Sequence, residues 1–271
     1  MSARLGEVFE RCRAEGRAAL VGYLTAGDPN PEQSRALLLA LASRCDVLEI
    51  GMPFSDPMAD GPVIEAASVR ALAAGTHIAD VFEHCRAVRQ ANPDLGIVLM
   101  GYANIPYAMG FDLFASRAAE AGVDGVLIVD IPPEEGGICD ASFRQHGLDR
   151  ILLLSPTSTD ERIRLACDAG SGFIYYVSLT GITGADMGDI TGIRNKVAHI
   201  QSMAGGMPVC VGFGIKTPEQ ASQVAAFADG VVVGSHFVSQ VAANSDAAAA
   251  LAALSASADA MQAATARETA V

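Results

Sequence analysis

"PVCVGFGIKTPEQASQVAAFADGVVVGSHF" (208–237) holds one unit twice. A short apolar run, "PVCVG" (208–212) or "GVVVG" (230–234), ends on glycine, and "PEQASQVAAFA" (218–228) between the two recurs at helical spacing. Runs that are apolar at nearly every position suit parallel strands buried on both faces, with helices as right-handed crossovers between them. The same unit recurs towards the N-terminus as "ALVGYL" (19–24), "DVLEI" (46–50), "GIVLM" (96–100), "GVLIV" (125–129), "RILLL" (150–154) and "FIYYV" (173–177). Eight candidate strands interleaved with amphipathic segments such as "PEQSRALLLALASR" (31–44) and "DLFASRAAEAG" (112–122) predict a TIM (β/α)8 barrel, with a doubly wound open sheet as the alternative.

Two helical patterns, 61–75 and 77–92, separate the second and third strands, so an extra helix is expected there. Residues 1–16 read as an additional helix capping the bottom of the barrel, and the alanine-rich 244–264 as a last helix followed by a frayed tail, 265–271. The whole chain, 1–271, is expected to form one barrel domain.

Composition limits the partners. Eighteen Lys plus Arg stand against 31 Asp plus Glu, and the formal net charge of -13 would repel a phosphate backbone, so nucleic acid is not expected as a partner. The six cysteines are widely spaced and form no CxxC or CxxH pair, so they read as reduced core thiols, with no metal site expected. No stretch reaches the roughly 20 apolar residues of a membrane span, and the charged "MSARLGEVFERCRAEGR" is unlike a signal peptide. A cytoplasmic protein without membrane contact is expected.

"VLEIGMPFSDPMADGP" (47–62) carries Glu49, Asp56 and Asp60 out of the second strand through a loop stiffened by prolines. Catalytic groups of a TIM barrel lie at the C-terminal ends of strands, which is where Glu49 stands. A carboxyl between Leu48 and Ile50 has its ionised form disfavoured by desolvation, which lifts its pKa towards the range useful for proton transfer. Equally, Glu49 could pair with an arginine or with backbone amides, and Asp60 could be a simple turn or N-cap aspartate. Glycines after the seventh and eighth runs leave bare N–H groups at helix starts, a common phosphate site of this fold. Lys216, the sole cation nearby, reads as a solvated helix-start residue. "SLTGITGADMGDI" (178–190), after the sixth run, has three glycines and suits a lid.

Seven stretches in order, "YLTAGDP" (23–29), "LEIGMPFSDPMADGP" (48–62), "MGYAN" (100–104), "AGVDGVLIVDIPPEE" (121–135), "GFIYYVSLTGITG" (172–184), "VGFGI" (211–215) and "VVVGS" (231–235), give the chain a resemblance to the tryptophan synthase alpha subunit family. The resemblance implies retro-aldol cleavage of indole-3-glycerol phosphate to indole and glyceraldehyde 3-phosphate, with no cofactor in this chain. It implies Glu49 as acid/base at indole C3 and the side-chain hydroxyl, and Asp60 as stabiliser of charge at the indole nitrogen. Tyr175 and Thr183 position the substrate, Tyr102 and Asp130 support the site, and Gly184, Gly212, Gly214, Gly234 and Ser235 hold the phosphate. A beta subunit carrying pyridoxal phosphate, in an alpha2beta2 heterotetramer, is the implied recipient of indole, with Pro53, Asp56, Asn104 and Pro132 at the contact. Ordering of "SDPMADG" on contact with that partner would place Asp60.

Several positions depart from the commonest family pattern. Gly22 replaces a proline and is expected to loosen the wall against the indole ring, Leu179 replaces an arginine, and Met52 and Met58 replace smaller aliphatics. The competing readings are another phosphate-binding barrel, such as an isomerase or the preceding synthase, and a weakly catalytic barrel that activates its partner. The synthase would be expected to carry a lysine inside the barrel, whereas the only lysines, Lys196 and Lys216, lie outside the strands.

Overall fold

A computed structural model of the chain describes residues 2–177, 190–212 and 214–267. Its strands are β1 (Ala19–Thr25), β2 (Val47–Gly51), β3 (Gly96–Gly101), β4 (Gly125–Ile128), β5 (Asp149–Arg150), β6 (Leu152–Leu154), β7 (Ile174–Val177), β8 (Val209–Gly212) and β9 (Gly230–Val233). They pair in the order β5-β4-β3-β2-β1-β9-β8-β7-β6, with parallel ladders throughout. The two ends of that order, β5 and β6, are separated in the chain by Ile151 alone, so the sheet returns on itself as a barrel. The expected fifth strand is thus divided. Up to Ile151 it pairs with β4, the Ile151 N–H donating to Val126 O at 3.0 Å, and beyond it with β7.

Helices α1 (Ala3–Ala14), α2 (Pro31–Ala42), α3 (Pro62–Ala73), α4 (Ile78–Ala91), α5 (Asn104–Met109) and α6 (Phe111–Glu120) accompany the first half of the barrel. A 3₁₀ turn (Pro133–Ile138) and α7 (Asp140–Gln145), α8 (Asp160–Ala169), α9 (Ile190–Met203), α10 (Pro218–Ala225), α11 (Ser235–Ala242) and α12 (Ala247–Ala263) accompany the second. Local chemistry sets several starts. Asn30 accepts from the Gln33 N–H at 3.0 Å, Thr159 and Asp246 cap α8 and α12, and Thr217 with Gln220 forms a reciprocal capping box on α10. α3 and α4 are the two helices expected between the second and third strands.

Strand residues alternate between two cores. Val21, Val47, Val98, Leu127, Ile151, Tyr175, Cys210 and Val232 fill the interior, and α1 closes the bottom with Leu5, Val8 and Phe9. Leu20, Leu48, Ile50, Ile97 and Val231 face outwards into the helix layer. Aspartates just before the strands lock the bottom rim: Asp46, Asp124 and Asp229 accept the N–H groups of Leu20, Ile97 and Val209 at 2.9, 2.9 and 3.0 Å. Arg17 neutralises Asp46 through two hydrogen bonds of 2.6 and 2.8 Å, and Arg89 donates to Asp124 at 2.6 Å.

The expectation of a frayed tail from residue 265 is corrected for Thr265–Arg267. The Ala18 N–H donates to Thr265 O, Ala266 bridges to Arg17, and the Arg267 guanidinium donates to the Ala225 and Ala228 carbonyls. Backbone pairing and free helix-end carbonyls, invisible in an alanine-rich sequence, hold that segment.

Candidate active site

Glu49 is the third residue of β2, in register with Tyr23 of β1 and Val98 of β3. Since Val47 points into the barrel, Glu49 two residues on does so as well, at the mouth end. It is 1% exposed, and neither carboxyl oxygen has a hydrogen-bond partner among the described residues. Among the described residues, neither an arginine nor a backbone amide pairs with it. Burial first, and the charge of Asp60 second, push its pKa from 4.5 up to about 8.

Asp60 comes from the other direction. It ends the loop after β2, immediately before Gly61, the N-cap of α3. Burial raises its pKa from 3.8 to about 6, the Tyr102 hydroxyl beside it favours the ionised form, and Glu65 opposes it. With Glu49 near 8 and Asp60 near 6, neutral pH favours a proton on Glu49 and an ionised Asp60. One group can give a proton while the other receives positive charge.

Aromatic residues build the walls. Tyr102, just past β3, packs its ring at a tilt against that of Phe54, centroids 5.2 Å apart, and its hydroxyl accepts the Ala59 N–H at 3.0 Å, which fixes the loop one residue before Asp60. Tyr175 is buried on β7, its hydroxyl pushed well above its ordinary pKa by burial and then by Glu49. A Cβ on Gly212 would lie 2.5 Å from the Tyr175 hydroxyl oxygen, so glycine at that position is what lets the phenol stand there. Asp130 is exposed and accepts the Ala103 N–H at 2.8 Å, tying the end of β4 to the start of α5.

Sequence reasoning left out Tyr23 and Thr25. Tyr23 is the strand neighbour of Glu49, buried, with its hydroxyl 3.2 Å from Thr25 Oγ1. Its pKa is raised by burial and then by Asp60, Thr25 opposing, with Glu49 a further contributor. A Cβ on Gly51 would lie 2.1 Å from the Tyr23 hydroxyl oxygen. The alternation of Val21, Tyr23 and Thr25, in register with Glu49, was the available signal. Gly22 is a correction: a Cβ there would meet Leu41 of α2 at 3.0 Å, so it faces the helix layer and lines no indole wall.

At the other side of the mouth, Gly214 has φ 84°, a left-handed conformation suited to glycine, and Gly234 is the N-cap of α11, which Ser235 opens. Gly234 stands against Tyr23, with 3.5 Å from its ideal Cβ position to the Tyr23 Cβ, so the helix start and the carboxyl pair border one mouth. Thr183, Gly184, Leu179 and most of the expected lid fall in 178–189, outside the described residues. Lys216 is exposed, and Lys196 on α9 donates to Ser158 O, away from the barrel interior.

Of the expected partner contacts, Asp56 and Asn104 are exposed, Pro132 is half-buried and Pro53 is buried within the chain. Met58, Tyr107 and Ile138, in the segments that follow β2, β3 and β4, are 81, 76 and 52% exposed. Among the described residues no cluster of His, Cys, Asp and Glu could hold a metal ion, and no helix is long and apolar enough to cross a membrane.

The sequence profile of the tryptophan synthase alpha chain family matches residues 9–266. The chain is 46% identical over 241 residues to a tryptophan synthase alpha chain of Marinobacter nauticus, covering 89% of each. It is 49% identical over 247 residues to that of Rhizorhabdus wittichii, covering 91% of each. A solved structure of Mycobacterium tuberculosis tryptophan synthase superposes with TM-score 0.90 at 36% identity, covering 99% of this chain and 100% of that one. The alpha chain of Legionella pneumophila subsp. pneumophila does so with TM-score 0.89 at 39% identity, covering 98% and 97%.

Proposed function

The chain belongs to the tryptophan synthase alpha chain family, and from that premise we propose how its residues carry out the family's reaction. That reaction is the retro-aldol cleavage of indole-3-glycerol phosphate to indole and glyceraldehyde 3-phosphate, which makes the protein a carbon–carbon lyase. One observation carries the assignment of roles: Glu49 is buried without a hydrogen-bond partner among the described residues, facing Asp60.

Protonated Glu49 gives its proton to indole C3. The ring then carries positive charge at N1, which ionised Asp60 stabilises. Glu49, now ionised, takes the proton of the side-chain hydroxyl. As the C3–C1′ bond breaks, its electron pair returns to the ring, C1′ becomes the aldehyde, and Glu49 is again protonated. The proton count closes without any other acid or base. Tyr175, Tyr23 and Thr183 bound the ring, Tyr102 holds the Asp60 loop and Asp130 the neighbouring turn. Gly184, Gly212, Gly214, Gly234 and Ser235 take the phosphate, aided by the start of α11.

The chain works with a beta chain. The finer assembly belongs to the proposal: an alpha2beta2 heterotetramer in the cytoplasm, indole passing to a beta subunit that alone carries pyridoxal phosphate, and a contact through Asp56, Asn104 and Pro132. Absence of tryptophan supplies the test, because indole fluorescence then reports substrate and product alone. Indole and the aldehyde should form slowly with the purified chain and much faster with a beta subunit. A folded chain that forms neither in either condition refutes the reading.

A further inference from the structure

We propose that the ion pair between Asp28 and Arg70 is a positioning device for Asp60, acting through helix α3. It rests on the role given to Asp60 above. Asp28 lies in the turn after β1, and its carboxylate is buried, 4% exposed. Arg70, in the last turn of α3, meets it with two parallel hydrogen bonds, Nε to Oδ1 at 2.7 Å and Nη2 to Oδ2 at 2.8 Å. Such a fork fixes orientation as well as distance.

The rest of that turn is equally fixed. The Gly27 N–H donates to Ser34 Oγ at 2.8 Å, and a Cβ on Gly27 would lie 1.9 Å from Thr76 Oγ1, just beyond α3. The turn is also continuous with Thr25 and Tyr23, which border Glu49. Loop and helix end are therefore locked together next to one wall of the site.

Asp60 is delivered by the opposite end of α3, with only Gly61 between it and the first helical residue. The residues that α3 buries fully, Ala67, Ser68 and Ala71, are small, and Val63 and Ile64 add partly buried apolar contacts, so packing seats the helix while the fork supplies a directional restraint that apolar contacts lack. From Arg70 back to Asp60 is a lever of ~15 Å at the rise of an α-helix. A tilt of about 5° would move the Asp60 end by ~1 Å, a displacement that can reduce turnover about 100-fold. At that end, the Tyr102 hydroxyl accepts the Ala59 N–H and hydrogen-bonds the Asp60 carboxylate, which restrains the loop without fixing the helix axis.

The test measures indole-3-glycerol phosphate cleavage and glycerol phosphate binding in Arg70→Leu, Arg70→Lys, Asp28→Asn and Asp60→Asn, and in Arg70→Leu combined with Asp60→Asn. Arg70→Leu should lower kcat ~10- to 100-fold while KM and glycerol phosphate binding stay within about threefold, and Arg70→Lys should recover part of the loss by restoring charge without the fork. Because the effect passes through Asp60, adding Arg70→Leu to Asp60→Asn should cost far less than it does alone. Leu254→Ala, in the buried face of α12, provides a chain of lowered stability with normal kcat at the assay temperature. Should Arg70→Leu fail to fold, the near-isosteric Asp28→Asn takes its place in each comparison. Wild-type kcat in these variants, or losses that multiply with Asp60→Asn, would overturn the inference and leave the site reading intact. Wild-type turnover in Asp60→Asn would remove the site reading itself.

Discussion

Replacing Glu49 with glutamine should abolish most activity and, at alkaline pH, make the protein more stable. The carboxyl's pKa is 4.5 when unfolded and about 8 in place, raised by burial and by Asp60. Between those values the folded state binds the proton that the unfolded state has released. Stability therefore falls as pH rises from about 4.5 and levels off above about 8. At about 1.4 kcal/mol per pH unit the interval amounts to ~5 kcal/mol, an upper figure because water entering the site would reduce it. Glutamine keeps the shape and never ionises, so the variant should match wild type near pH 5 and exceed it by several kcal/mol near pH 9. Urea melts of both proteins at pH 5, 7 and 9 read this directly, alongside a kcat expected to fall ~10²- to 10⁴-fold. Parallel pH–stability curves for the two proteins would show that Glu49 is not held protonated, and the proton-donor assignment would fall with them.

Other expectations follow from the same geometry. The pH profile of kcat should be bell-shaped, rising as Asp60 ionises near 6 and falling as Glu49 ionises near 8, and a profile flat from pH 5 to 9 would contradict both assignments. Gly51→Ala places a carbon 2.1 Å from the Tyr23 hydroxyl and should cost ~1–3 kcal/mol in thermal unfolding. Tyr23→Phe should recover only part of that, because Cζ still lies 2.6 Å from the added carbon. Arg17→Ala removes the two-bond partner of buried Asp46, leaving the Leu20 N–H and the more distant Arg11, and should cost ~3 kcal/mol in denaturant melts. Burial opposes ionisation of Asp46, yet Arg17 and the Leu20 N–H together hold its pKa below 3.8. The Asp46 contribution in wild type should therefore persist above pH 3.8 and fade only as pH falls through the lower folded value.

The barrel was legible because its strands are buried on both faces, which leaves unbroken apolar runs in the sequence, and because glycine and capping residues mark where each run meets a helix. Glu49 stood out for a related reason: a charged residue inside such a run has few structural uses. What no linear pattern carried was direction and company. Whether Glu49 was paired with an arginine or left alone depended on which side chains the closed barrel brought to its mouth, and Tyr23 entered the site only through the β1–β2 register. Gly22 left the site by the same rule, since a shift of one residue turns a strand position from the interior to the helix layer. The division of the fifth strand at Ile151 and the anchoring of Thr265–Arg267 are likewise long-range hydrogen bonding, formed between segments far apart in the chain. Composition, local capping and apolar period thus determined the elements and their order. The protonation of Glu49, the reach of Asp60 and the clamp of Arg70 on Asp28 were decided only when packing removed water from some carboxylates and supplied partners to others.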